Sequence, residues 1–212
     1  MMADRATTAF SSQAAAAFQF LVSDHGFSSP ATRAPQVRVP ALVGDDFEEV
    51  RFESDRVFVS IWRCPSRLDW GVDVGLLPQQ RDKPEAFSVF DLATLWGADQ
   101  AQSVRPMWPD EFLATALAER AHLLKEYGGP ALAGDVAFFQ ELSAARSRRL
   151  RAHWRAQQLA DATRKAAAAF RRKDWVEVVS LLAAVRSDLS PAERKKLEYA
   201  EKRARPTRPS SA

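Results

Sequence analysis

Apolar and polar positions alternate most regularly between Glu48 and Leu77. In Glu49-Val50-Arg51-Phe52-Glu53 every second residue is apolar. Ser54-Asp55 is a turn candidate. After it, Val57, Val59 and Ile61 share one face of a strand, and Phe58, Ser60 and Trp62 share the other. Cys64-Pro65-Ser66-Arg67 breaks the run. Trp70, Val72, Val74 and Leu76 then alternate with Asp69, Gly71, Asp73 and Gly75. A period of two residues sends successive side chains to opposite faces, so this stretch predicts an antiparallel meander. Its middle strand is apolar on both faces, which fits a central strand covered by helices. Val37–Val43 is a further strand candidate, and Pro40, which cannot donate to a ladder, puts it at an edge.

Elsewhere the spacing is helical. Ser12–Ser23 carries Phe18, Leu21 and Val22 on one side, and Asp24-His25-Gly26 ends it with a glycine suited to a left-handed cap. Ser28–Gln36 holds two prolines and predicts a loop. Pro78–Glu85 predicts another. Phe87–Trp96 reads as a helix, with Phe87, Phe90 or Asp91, and Leu95 about one face, stopped by Gly97. Ala98–Trp108 is a connector. A stronger helix follows: Pro109 suits its first turn, and Asp110 and Glu111 sit near its positive end. Leu113, Leu117, Arg120 and Leu124 form its stripe, and Gly128-Gly129-Pro130 ends it. The next helix is predicted from Asp135 to near Leu159; it opens with Val136, Phe138, Phe139 and Leu142 and then becomes arginine-rich. Ala162–Arg172, a start at Asp174-Trp175-Val176-Glu177, and the capping box Ser190-Pro191-Ala192-Glu193 predict three more helices. Residues from Arg205 on are expected to be disordered.

These elements predict an α+β fold: a small antiparallel β-meander packed with helices, followed by an all-α C-terminal extension. The expected division is 1–134 for the body, 135–204 for the extension and 205–212 for the tail.

Charge sharpens that division. Residues 1–142 hold 12 Lys/Arg against 20 Asp/Glu, whereas residues 143–212 hold 18 against 7. An acidic body joined to a basic extension points to binding surfaces more than to a reaction. No stretch reaches the roughly 18 apolar residues of a membrane span. Ala14–Val22 is apolar but short and contains Gln19, so no leader peptide is expected. A lone cysteine, Cys64, excludes an internal disulfide and fits a cytoplasmic setting.

Within the extension, Lys165–Leu182 resembles a tetratricopeptide repeat. Ala166 and Ala169 supply the small residues where its two helices cross, and Phe170 supplies the late aromatic. Lys173-Asp174-Trp175 stands where that family has Gly-Asp-Tyr, and Pro191 lies near the closing proline. Lys173 replaces the glycine, and Val178 and Val185 stand in place of alanines. Solenoids need about three repeats to bury their faces, so a single repeat-like hairpin implies a docked extension rather than a peptide-binding superhelix. The N-terminal part is similar to a group of bacterial α+β proteins without assigned chemistry. The likeness is carried by Phe20-Leu21-Val22, His25-Gly26-Phe27 and Val50-Arg51-Phe52-Glu53-Ser54-Asp55-Arg56-Val57. Some small proteins of this general kind are immunity partners of bacterial toxins, which implies protein binding by analogy.

Chemistry-bearing motifs are sparse. His25, His122 and His153 fall in separate elements. Glu119-x-x-His122 puts a carboxylate and an imidazole on one helical face, but di-iron bundles need a second copy, and none exists. No nucleophile elbow or phosphate loop is present, and Gly71 and Gly75 lack the lysine a P-loop requires. Asp69 and Asp73 share a strand face, read as solvated. No metal or cofactor is implied. The reading is a non-catalytic protein-binding factor of the immunity or adaptor kind. It would dock a partner through Asp45, Asp46, Phe47, Glu48 and Glu49, together with the exposed sheet face. The alternative is a nucleic-acid-associated protein using Arg148, Arg149, Arg151 and Arg155, with Trp154 stacking on bases. A hydrolase without a recognisable motif is third.

Overall fold

The computed structural model describes residues 2–33, 47–65, 69–77, 85–98 and 112–204. The chain divides into two units, Met1–Arg146 and Ser147–Ala212. The strand candidate Val37–Val43, the first-turn residues Pro109, Asp110 and Glu111, and the tail from Arg205 lie outside the described residues.

Unit 1 is built on an antiparallel sheet. Helices α1 (Met2–Ala17) and α2 (Phe20–His25) precede strands β1 (Ala31–Arg33), β2 (Glu48–Glu53), β3 (Val57–Cys64), β4 (Asp69–Leu76) and β5 (Ala86–Ser88). The strands lie in sequence order, each antiparallel to the next. The predicted alternation sets the register. Val50 faces Ile61, Phe52 faces Val59, Ile61 faces Val72, and Val59 faces Val74, which in turn faces Phe87. All seven are buried in one cluster with Phe10, Phe18 and Leu21 of the N-terminal segment. Burying one such side chain contributes about 1.5–3 kcal/mol, so this face anchors the unit.

The other helices complete that core: α3 (Val89–Leu95), α4 (Leu113–Tyr127), α5 (Gly129–Leu132) and the start of α6 (Val136–Arg172). Leu92, Leu117, Leu124, Leu132, Phe138, Phe139 and Leu142 all join it. Because the apolar opening of α6 is spent on the sheet, unit 1 reaches Arg146 rather than stopping at residue 134.

Several local expectations change. The predicted Ser12–Ser23 helix is two helices, with Phe18 and Gln19 between them; Gly26 caps the second at φ 69°. Ala31–Arg33, inside the proline-bearing loop, pairs with β2. The Phe87–Trp96 helix gives its first two residues to β5 and starts at Val89, because Ser88 and Asp91 form a capping box. Gly128-Gly129-Pro130 ends α4 but also opens α5. Residues 159–162 interrupt nothing: α6 is one helix of 37 residues.

Unit 2 holds the rest of α6, then α7 (Trp175–Ala183), a 3-10 turn (Arg186–Asp188) and α8 (Pro191–Ala204). Ala166, Ala169, Val178, Leu182, Leu189, Leu197 and Ala200 make a second core. Ala166 and Ala169 are the small residues that α6 contributes to it. At the α6–α7 turn the Phe170 and Trp175 rings meet edge to face at 5.1 Å, and Tyr199 meets Trp175 at 5.5 Å. Lys173 sits in that turn at φ 62°, a region that favours glycine. Asp174 caps α7 by accepting the Glu177 amide, and Ser190 and Glu193 cap α8 reciprocally.

Candidate functional site

Two regions carry side chains whose chemistry exceeds what packing needs: the second face of the sheet in unit 1, and the arginine-rich stretch of α6 in unit 2.

On the second face, residues that alternate with the core line up across strands. Arg51 opposes Ser60, which opposes Asp73, which opposes Ser88. Phe58 and Trp62 lie opposite Gly75 and Gly71. The glycines leave room for these rings: a Cβ on Gly71 would stand 2.9 Å from the indole, and one on Gly75 would stand 2.6 Å from the phenyl ring. The Trp62 indole N–H donates to Asp73 at 2.8 Å. The Ser60 hydroxyl donates to Glu49 at 2.5 Å. Arg146 donates to Asp91 at 2.7 Å and lies over the Phe87 ring. Asp73, read from sequence as solvated, is therefore half-buried in a polar cluster.

Burial pushes the Asp73 carboxyl above the usual carboxylate range, and the charges of Asp91 and Glu49 push the same way. The Trp62 hydrogen bond and the Arg146 charge oppose the shift without cancelling it. The folded state therefore binds this proton more tightly than the unfolded chain does. Its ionised form costs stability, and that cost appears as pH rises through the ordinary carboxylate range to the folded value. Asp73→Asn keeps an oxygen for the indole and removes the charge. It is expected to raise the melting temperature at neutral pH, and the gain should vanish below the ordinary carboxylate range. Thermal melts at neutral and strongly acid pH check both halves.

The acidic run lies beside this face. Asp45 and Asp46 fall outside the described residues. Phe47 stacks on Trp62, with centroids 6.1 Å apart and planes at 21°. Glu48 accepts two hydrogen bonds from Arg63, at 2.9 and 3.1 Å, and Glu49 takes the Ser60 hydroxyl. The two described carboxylates of the run are thus engaged within the sheet.

The basic run divides differently. Arg146 belongs to unit 1. Arg148, Arg149, Arg151 and Arg155 are exposed on α6. Helical spacing places Arg148, Arg151 and Arg155 along one stripe. Leu150 and Trp154, one turn apart, are 50% and 60% exposed. No acidic residue occurs between Glu141 and Asp161, so this stretch has no carboxylate of its own. Further along, Asp161 holds Arg164 and Lys165, and Glu177 holds Arg172. Arg171 and Arg172 end α6, Lys173 follows in the turn, and Arg194-Lys195-Lys196 lies on α8.

Other candidates resolve simply. His122 pairs with Glu126 at 3.3 Å, not with Glu119. Among the described residues no group of His, Cys, Asp or Glu is placed to hold a metal ion. No described helix is long and apolar enough to cross a membrane. A cavity of about 30 Å³ in unit 2, lined by residues including Thr163, Phe170 and Leu182, has room for little more than water. Comparison with family models, curated proteins and solved structures gives no match to this chain.

Proposed function

We propose that this chain is a non-catalytic, cytoplasmic binding protein of the immunity or adaptor kind, whose partner is a protein with an acidic surface. The docking element is the arginine-rich stretch of α6. Arg148, Arg151 and Arg155 meet the partner's carboxylates, and Leu150 and Trp154 supply the apolar contacts. The observation that carries this reading is the exposed Leu150–Trp154 pair beside an arginine stripe free of acidic neighbours in sequence. Tryptophan and arginine dominate the energetics of protein interfaces, and two large apolar side chains exposed together on a charged helix suit such a contact. The acidic run is less suited to the role, because Glu48 and Glu49 are already engaged. The buried lone Cys64 accords with a reducing compartment.

Nucleic-acid binding is the second reading, favoured by Trp154 standing among guanidinium groups. The two readings differ in salt response and in what is captured. Protein captured from the native host is expected to be retained by the wild-type chain and weakened about tenfold by Trp154→Ala. A mixed-sequence oligonucleotide should bind weakly at physiological salt. Oligonucleotide affinity that persists there, falling with a log–log salt slope of about −3 that Arg148→Ala, Arg151→Ala and Arg155→Ala together abolish, would replace the protein partner with nucleic acid.

A further inference from the structure

We propose that Arg120 anchors a second binding site, on unit 1, which accepts a carboxylate ligand. Arg120 is the odd member of the α4 stripe formed with Leu113, Leu117 and Leu124. Its guanidinium carbon lies 4.0 Å from the Phe90 ring centre and 5.1 Å from that of Trp70. Three other arginines of unit 1 lie over aromatic rings in the same way, and each also holds a carboxylate. Arg51 lies over Phe58 and pairs with Glu53; Arg63 lies over Phe10 and pairs with Glu48; Arg146 lies over Phe87 and pairs with Asp91. Arg120 has two rings and, among the described residues, no carboxylate within ion-pair distance. It has the aromatic half of a repeated arrangement without the anionic half.

The physical chemistry favours filling that gap. Ring faces fix the guanidinium plane and leave its N–H donors to point outward along the edge. Arg120 is half-buried, and burial lowers its pKa while the neighbouring Glu119 charge raises it. A partly desolvated cation gains more from an incoming anion than a fully hydrated one does. No buried side-chain nitrogen or oxygen among the described residues lacks a hydrogen-bond partner, so any unused donors of Arg120 reach the surface. A planar carboxylate matches the fork with two parallel hydrogen bonds. Unit 1 holds 13 Lys/Arg against 20 Asp/Glu, so a phosphate dianion is opposed more strongly than a single carboxylate. This site stands on Trp70, Phe90 and Arg120 and not on the α6 stripe, so either reading can fail alone.

The test is NMR of the full chain with labelled arginine and tryptophan side chains, titrated with acetate and, in parallel, inorganic phosphate at constant ionic strength. The Arg120 Nε–H and the Trp70 indole N–H should move together along a saturating acetate curve, with phosphate weaker. Arg120→Lys, which keeps the charge and loses the fork, should weaken the Trp70 response about tenfold. A linear drift matching that of exposed Arg56, which belongs to neither proposed site, overturns the site. An unchanged Trp70 curve in Arg120→Lys also overturns it, and tighter binding of phosphate overturns the carboxylate assignment. Should the variant fail to fold, the comparison of Arg120 with Arg56 in the wild-type chain decides.

Discussion

Gly75→Val is expected to destabilise unit 1 by about 3 kcal/mol, at the upper end for overpacking a well-filled site. The Phe58 ring lies over Gly75, and a Cβ there would sit 2.6 Å from it. The same Cβ would also sit 2.7 Å from the Glu85 carbonyl oxygen, and backbone cannot swing aside as a side chain can. Valine adds two methyl groups to that conflict. Phe58 is 4% exposed, so the displaced ring has little free space to enter. Gly71→Val is the matched comparison. Its three nearest heavy-atom contacts are all with the Trp62 indole, a half-exposed side chain, so its cost should be smaller. Thermal or urea unfolding separates the two. A loss near 3 kcal/mol lowers the melting temperature by roughly 6–12 °C in a chain of this size. A Gly75→Val melt within a degree or two of wild type would show that the strand relaxes around the added carbon.

Arg146→Ala is expected to cost about 2–3 kcal/mol, because it removes charge-assisted hydrogen bonding from a carboxylate that is mostly shielded from water. Asp91 is 11% exposed and has two tasks: it closes the α3 capping box with Ser88, and it receives Arg146 at 2.7 Å. Arg146 covers the Phe87 ring as well, so truncation loses packing along with charge. Arg146→Lys should recover only part of the loss, since an ammonium cannot lie flat on the ring. The same measurements made on Arg148→Ala should show a change within about 0.5 kcal/mol, as expected for an exposed side chain. Equal effects at positions 146 and 148 would mean that the Asp91 contact does not hold α3 to α6.

Both expectations concern residues whose roles were hidden in one dimension. Strands β2, β3 and β4 were legible because period-two alternation persists through all of them and matches the observed register. Strand β1 was not, because three residues carry no pattern and its pairing is imposed by β2. The boundary at Ser88 was available: serine followed three residues later by aspartate is a capping signature, but the apolar run through Phe87 and Phe90 obscured it. Gly71 and Gly75 show in the sequence only as the small members of an alternating strand, since their partners, Trp62 and Phe58, are identified only by register. The arginine run looked uniform, yet Arg146 and Arg148 lie in different units, because the apolar opening of α6 sinks into the sheet's core. Arg120 did leave a trace, a cation on an apolar stripe, but Trp70 and Phe90 come from distant segments that only folding brings together.

Among the described residues, the two border strands of the sheet, β1 and β5, are each three residues long. Such short margins offer an incoming peptide few main-chain donors and acceptors, so lengthening the sheet with a borrowed strand has little to hold it. A partner bound in the way we propose would therefore be read through side chains, and substitutions at the surface could alter that reading without rebuilding the scaffold beneath.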